Sequence, residues 1–282
     1  MGNVMKGMTF LLGFSLLFSF SGVYIDNTLL ESNDVIAIAH RGEAKLAPEN
    51  TLVAFELAIE EGAKSIEMDV RMTSDEHLVL MHDDDVSRTT DGEGRISEMT
   101  LGEIKSLRIK PRAWMSVSEE QEVPTLEEAL LLINGRALAD LDVKSAVPEI
   151  LVGIIERAKA LNTAYVDVSS VEEALELRDL NPNIVIQAGD IDSTEEAAGY
   201  IDALGRVEVF ELEEIYEGVR DTIEFCHEHG SKVHVPEKET LYLLGWPLAL
   251  SMGVDGIQTD NLQMLMPYLD RINDGARAEE LF

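Results

Sequence analysis

Val35-Ile36-Ala37-Ile38-Ala39-His40-Arg41-Gly42 and Ser65-Ile66-Glu67-Met68-Asp69-Val70 decide the fold. Each is a short apolar run of strand length, and the first ends abruptly on charged and turn-forming residues. A strand this apolar is expected to be covered on both faces, as in a parallel sheet packed by helices. The second run differs in one respect. Glu67 and Asp69 are two residues apart, so they share one face of the strand while Ile66, Met68 and Val70 share the other. A third run, Leu78-Val79-Leu80-Met81, ends on His82-Asp83.

Further runs of the same kind continue to the end of the chain. Strands are expected to begin near Val35, Ser65, Ala137, Ala164, Ile184, Val207, Lys232 and Asp255. Amphipathic helix patterns lie between most of them, at Thr51–Glu60, Val147–Leu161, Val171–Leu180, Ser193–Leu204, Glu214–His229 and Glu239–Met252. Strands alternating with helices and joined by right-handed crossovers give an α/β fold, the (β/α)8 TIM barrel. The run at Leu78 interrupts the alternation, because it follows the Ser65 strand too closely for a parallel crossover. Thr73-Ser74-Asp75-Glu76 is turn-like, so an antiparallel hairpin is expected. If those residues are the turn, Met72 pairs with His77, and His82 falls opposite Glu67.

Residues 84–123 carry few helix or strand signals apart from Thr100–Leu107 and read as an insertion over the barrel mouth. Pro124-Thr125-Leu126-Glu127-Glu128 opens a helix, with Thr125 as N-cap and Glu128 closing a capping box. The barrel domain is expected to span 35–267, and residues 268–282 read as a polar, frayed tail.

The chain has 282 residues, 45% of them hydrophobic and 27% charged, which suits one large domain with a packed core. Its formal charge of -32 excludes a nucleic-acid partner, since no basic surface is available to displace counterions. An anionic substrate would be repelled unless a bound cation and nearby basic side chains reverse the local field. Cys226 is the only cysteine, so no intrachain disulfide forms. Met8–Ile25 is free of charge and follows Lys6. Residues 1–25 therefore read as a signal peptide, with Ser19-Phe20-Ser21 as a cleavage candidate, as a membrane anchor, or as a buried helix. The first two place the main domain outside the cytoplasm, exported or membrane-attached.

Seven motifs in order carry a resemblance: His40-Arg41-Gly42, Pro48-Glu49-Asn50-Thr51, Glu67-x-Asp69, His82-Asp83, Pro124-Thr125-Leu126, Asp142-x-Lys144 and Gly253-Val254-Asp255-Gly256-Ile257-x-Thr259-Asp260. Together they resemble the glycerophosphodiester phosphodiesterase family. The resemblance implies a (β/α)8 barrel with a small insertion after the second histidine and a divalent metal. It also implies hydrolysis of glycerophosphodiesters to glycerol 3-phosphate and an alcohol.

The residue chemistry agrees. Cleaving an anionic phosphodiester needs a cation, a positive clamp, a base and an acid. Glu67, Asp69 and Asp142 are assigned to the metal, and hard oxygen ligands select Mg²⁺ or Ca²⁺. Asp142 stands where the family usually has glutamate. His40 and His82 are assigned as general base and general acid, the order left open. Arg41 can fork onto a phosphate oxygen, and Lys144 is a second cation or an ion-pair partner of Asp142. The resemblance implies a place near the site for Glu49, as a further candidate metal ligand or a residue supporting the ligands, whereas in isolation the segment reads only as a helix start with Asn50 as its cap. Val233-His234-Val235-Pro236 replaces the Trp-Thr-Val-Asn-like sequence usual on that strand, which puts the usual glycerol pocket in doubt. His77, His227, His229 and His234 read as surface or core residues. The substrate is then a small glycerophosphodiester. The alternatives are a lysolipid, cleaved by a phospholipase-type phosphodiesterase, and an idle protein that binds phosphodiesters or metal.

Overall fold

The strands, in chain order, are β1 (Ile36–Ala39), β2 (Ser65–Met72), β3 (Leu78–Leu80), β4 (Leu138–Val143), β5 (Ala164–Val168), β6 (Val185–Ile191), β7 (Val209–Leu212), β8 (Lys232–Pro236) and β9 (Gly256–Thr259). All but β3 pair in parallel, in the order β1-β9-β8-β7-β6-β5-β4-β2, and β1 also pairs with β2 to close the ring. The result is the expected barrel of eight parallel strands. This computed structural model describes residues 32–236 and 245–275. Residues 1–25, expected to be a signal peptide, a membrane anchor or a buried helix, therefore lie outside the described residues, as do residues 239–244 of the expected Glu239–Met252 helix.

Helices cover the outside: α1 (Leu52–Glu60), α2 (Leu101–Ser106), α3 (Leu126–Ile133), α4 (Pro148–Arg157), α5 (Val171–Leu180), α6 (Thr194–Leu204), α7 (Arg220–Glu228), α8 (Gly245–Met252) and α9 (Leu262–Asn273). None of the described helices is long and apolar enough to cross a membrane. The strand pleat explains the core. Ile66, Met68 and Val70 of β2 join Leu126, Leu130 and other helix residues in the main apolar cluster between sheet and helices. Each such side chain contributes about 1.5–3 kcal/mol by leaving water. The opposite face of each strand lines the barrel interior, where Leu138, Tyr165 and Val185 form a small separate apolar cluster.

The strand register carries the acids of the interior to common levels. Glu67 is paired with Asp140, Asp69 with Asp142, and Asp142 with Asp167. Three neighbouring strands thus hold a carboxylate side by side at the C-terminal end of the barrel, the end where such barrels build their sites.

The hairpin is antiparallel as expected, but its register differs by one residue. Met72 pairs with Leu78, Arg71 with Val79 and Val70 with Leu80. The turn takes one more residue than expected. Thr73 N donates to the His77 carbonyl at 2.9 Å, and Glu76 adopts a left-handed φ of 63°. The ladder's last bond is from Met81 N to the Asp69 carbonyl at 2.9 Å, so His82 lies past the ladder and not opposite Glu67. Strand β3 takes the edge of β2 that β1 leaves free, since β1 pairs only with Ser65 and Ile66.

Residues 84–123 hold two 3-10 turns, helix α2 and isolated bridges between Asp85 and Arg95, Thr90 and Ile109, and Ile109 and Gln121. Val86, Ile96, Ile104, Ile109 and Val123 bury their side chains against Val79 and Met81 of the hairpin, in a cluster separate from the main core. The Thr125–Glu128 capping box is present, and Thr100 and Glu103 form a second one at α2. The cap of α1 is Thr51 and not Asn50, whose side chain is engaged elsewhere. The chain beyond Pro267 also departs from expectation. Helix α9 continues through that proline to Asn273, with Leu269 buried and the Asn273 side chain bonded to Val35 at both its carbonyl oxygen and its amide nitrogen.

Candidate active site

The segment 40–51 leaves β1 with two non-glycine residues in left-handed conformation, Arg41 at φ 58° and Asn50 at φ 56°. Such backbone is costly unless its surroundings fix it, and both residues are held by β2. Arg41 N donates to Glu67 Oε2 at 2.8 Å. Asn50 Nδ2 donates to Asp69 Oδ2 at 2.7 Å, and its Oδ1 accepts from Asp69 N at 3.1 Å. The loop thereby orients both carboxylates of β2, and the carboxylates hold the strained loop.

Glu67, Asp69 and Asp142 each offer a carboxylate oxygen within 4.8 Å of the others. Glu67 and Asp69 are buried, and Asp69 Oδ1 is fully covered with no hydrogen-bond partner. Burial, reinforced by the charges of Asp69, Asp142 and Asp140, pushes the Glu67 carboxyl well above its ordinary range. Three acids this close, two of them buried, are costly in a low-dielectric interior, and a bound cation lowers the cost. The Lys144 ammonium already leans on these groups, paired with Asp142 and 3.6 Å from Asp69 Oδ1. All three donors are hard carboxylate oxygens, the donor type that suits a hard divalent cation.

Each candidate histidine is tied to a carboxylate through Nδ1. His40 Nδ1 lies 2.7 Å from Asp260 Oδ1, and His82 Nδ1 lies 2.7 Å from Asp83 Oδ1. With a carboxylate as acceptor the Nδ1 position carries the proton, which leaves Nε2 of each ring for proton transfer. Hydrogen bonding to its histidine holds Asp260 below its ordinary range. Asp83 is lowered to about 2, chiefly by hydrogen bonding to Arg88, so it stays ionised at every working pH. Arg71 Nε fixes the His82 carbonyl at 2.8 Å.

The two halves of the site are joined by a chain of charges. Arg88 donates to Asp83 and, at 2.8 and 2.7 Å, to both oxygens of Glu49, while Arg41 Nη1 donates to Glu49 Oε1 at 3.2 Å. Arg41 Nε also lies 3.1 Å from Asp69 Oδ2. Glu49, a candidate ligand by sequence, is therefore placed between two guanidinium groups and outside the acidic triad. Burial alone would raise its pKa, but hydrogen bonds and charge from Arg88 and Arg41 bring it below the ordinary value. Sequence reasoning missed Arg88, because it sits in the irregular insertion, far along the chain from Glu49 and without a periodic signal. It also missed Asp140, Asp167 and Glu211. Burial raises the first two well above the ordinary range and Glu211 to about 7, so the barrel interior carries more acid than the triad alone.

The other histidines play no part here. His77 is exposed beside Asp75, His227 pairs with Asp255, and His229 bonds the Phe225 carbonyl. His234 lies in the barrel interior, where burial lowers its pKa to about 4 and its Nδ1 donates to Gln187 Oε1 at 3.2 Å. Gly256 makes room for that ring, since a Cβ there would lie 2.6 Å from His234 Cδ2.

Known proteins resemble this chain in sequence and in fold. The glycerophosphodiester phosphodiesterase of Caldanaerobacter subterraneus subsp. tengcongensis is 33% identical over 246 residues, 82% of this chain and 96% of that protein. A crystal structure of a glycerophosphoryl diester phosphodiesterase from Parabacteroides distasonis superposes with a TM-score of 0.75 at 25% identity, covering 86% of this chain and 91% of its own. A phosphodiesterase from Oleispira antarctica, solved in complex with the product sn-glycerol-3-phosphate, gives a TM-score of 0.68 at 26% identity over 86% of this chain and 99% of its own. The model of the glycerophosphoryl diester phosphodiesterase family matches residues 40–264, a span that runs from the first site histidine past Asp260. With barrel, acidic triad and match in agreement, the chain belongs to the glycerophosphoryl diester phosphodiesterase family.

Proposed function

We propose that this protein hydrolyses small glycerophosphodiesters to sn-glycerol 3-phosphate and an alcohol, with a divalent metal held by Glu67, Asp69 and Asp142. The observation that carries the reading is the pair of carboxylate-bound histidines together with an acidic triad that fits a hard cation. When bound, the metal supplies positive charge against the phosphoryl oxygens. A glycerol hydroxyl of the substrate attacks phosphorus, and one histidine takes its proton at Nε2. The P–O bond to the alcohol breaks, and the other histidine protonates the departing oxygen. Water then opens the resulting cyclic phosphate with the two rings in reversed roles, which leaves glycerol 3-phosphate. Asp260 and Asp83 hold the rings in the competent tautomer and stabilise each imidazolium as it forms. Arg41 and Lys144 are the cations nearest the triad and are assigned to the phosphate oxygens.

Export of the domain is part of this reading and rests on the uncharged run Met8–Ile25. The substrate assignment has a direct test, incubation with glycerophosphocholine followed by product analysis. Choline and glycerol 3-phosphate are expected. Phosphocholine and glycerol would place the cleaved bond on the other side of phosphorus and contradict the reading.

A further inference from the structure

Glu43 directly follows His40-Arg41-Gly42 and is 1% exposed. Both of its carboxylate oxygens are fully buried and without a side-chain donor, with the backbone N–H of Lys45 turned toward them. A buried carboxylate in that state is rare, because one backbone group replaces little of its lost hydration. The side chain that interacts with it is a second acid, Glu61, the residue that caps the C-terminus of α1. Glu61 Oε1 accepts from Gln263 Nε2 of α9 at 3.0 Å, whereas its Oε2 is buried without a donor. Two carboxyl groups hydrogen-bond to one another only with a proton between them.

The loop above this pair is tightly seated. Gly42 has a φ of 82°, and a Cβ there would lie 2.8 Å from the Ala54 carbonyl carbon of α1. Glu43 N donates to the Ala54 carbonyl at 2.9 Å. Displacement of Glu43 would therefore be passed to Arg41 and His40. The charged groups that face Glu43 are Glu61 from α1 and Lys45 from its own loop, and α9 contributes the neutral Gln263.

We propose that Glu43 and Glu61 hold one proton between them, and that this shared proton seats the His40–Arg41 segment on helix α1. Glu43 is thus a positioning residue. Its role in catalysis rests on the proposed function of His40 and Arg41, whereas the proton pair does not.

Burial and the Glu61 charge raise Glu43 from 4.5 to about 7, against a weaker opposing pull from Lys45. The sign of the effect follows. The folded protein keeps a proton that the unfolded chain gives up near 4.5. The pair's stabilisation is complete below that pH and is lost as pH rises through about 7.

The test compares the full chain with Glu43→Gln and Glu61→Gln, each of which keeps a neutral donor facing one remaining carboxylate. Thermal unfolding and kcat/KM on glycerophosphocholine are followed from about pH 5 to 9. The parent's Tm is expected to fall relative to both variants as pH rises through neutrality. The variant-to-parent ratio of kcat/KM, in which the histidine ionisations cancel, is expected to rise about threefold or more over the same range. Parallel Tm curves for parent and variants would overturn the shared proton. Diverging Tm curves with a flat activity ratio would overturn the positioning role alone. A parent with no turnover at all counts against the proposed function, and the Tm comparison still decides the pair. If Glu43→Gln does not fold, Glu61→Gln carries the same comparison.

Discussion

Turnover of a glycerophosphodiester is expected to fall about a thousandfold in His82→Ala, with KM changed far less. Loss of a positioned general acid or base typically costs 10²–10⁴ in rate (~3–5 kcal/mol in the barrier), and binding by the cations and the metal is untouched. The fold should survive the change. His82 is only partly buried, and Asp83 keeps its bonds to Arg88, so the Asp83–Arg88–Glu49–Arg41 chain has no need of the ring. Stability within about 0.5 kcal/mol of the parent is expected, as for surface changes that leave no buried group unpaired. His40→Ala should behave alike, since Asp260 holds it as Asp83 holds His82. The measurement is steady-state kinetics beside chemical denaturation. A His82→Ala enzyme that turns over within about threefold of the parent would remove that ring from the proton transfers.

Glu67→Gln should separate stability from function. It removes one acid from the triad, so cation binding weakens and turnover is expected to drop by about two to three orders of magnitude. The amide can still accept the 2.8 Å hydrogen bond from Arg41 N, so the loop stays seated. In chelator the variant should match or exceed the parent's Tm, because it no longer crowds a third acid against Asp69 and Asp142. Adding Mg²⁺ or Ca²⁺ at about a hundred times its dissociation constant should stabilise the parent by about 2.7 kcal/mol, or roughly 5–10 °C for a domain of this size. The variant should gain little. Equal gains in both proteins would mean that the ion binds somewhere else.

Much of this site could be read before any coordinates, for identifiable physical reasons. Carboxylates alternating with apolar residues inside a buried strand are costly, and that made Glu67 and Asp69 legible. Asp142 was legible for the same reason in β4. The eight strands stood out because apolar runs separated by amphipathic helices leave few topologies open. What escaped was set by geometry without a sequence period. The hairpin register turned on whether His77 belongs to the turn, a difference of one residue decided by Glu76 in a left-handed conformation. Asn50 looked like a cap, yet its amide is committed to Asp69 while Thr51 caps the helix. Glu49 stayed open between ligand and supporting residue because the arginine that claims it, Arg88, lies in a stretch with no regular pattern. Pro267 suggested a chain end, but the helix absorbs it and buries Leu269 beyond it.

The central claim is that three acids from β2 and β4 hold a divalent cation on which phosphodiester hydrolysis depends. Its most direct test is a chelator-treated sample assayed on glycerophosphocholine while Mg²⁺ or Ca²⁺ is added back. The expected result is no turnover after chelation and a saturable return of activity with either ion, lower in Glu67→Gln by about two to three orders of magnitude. Full turnover in the continued presence of chelator would contradict the account.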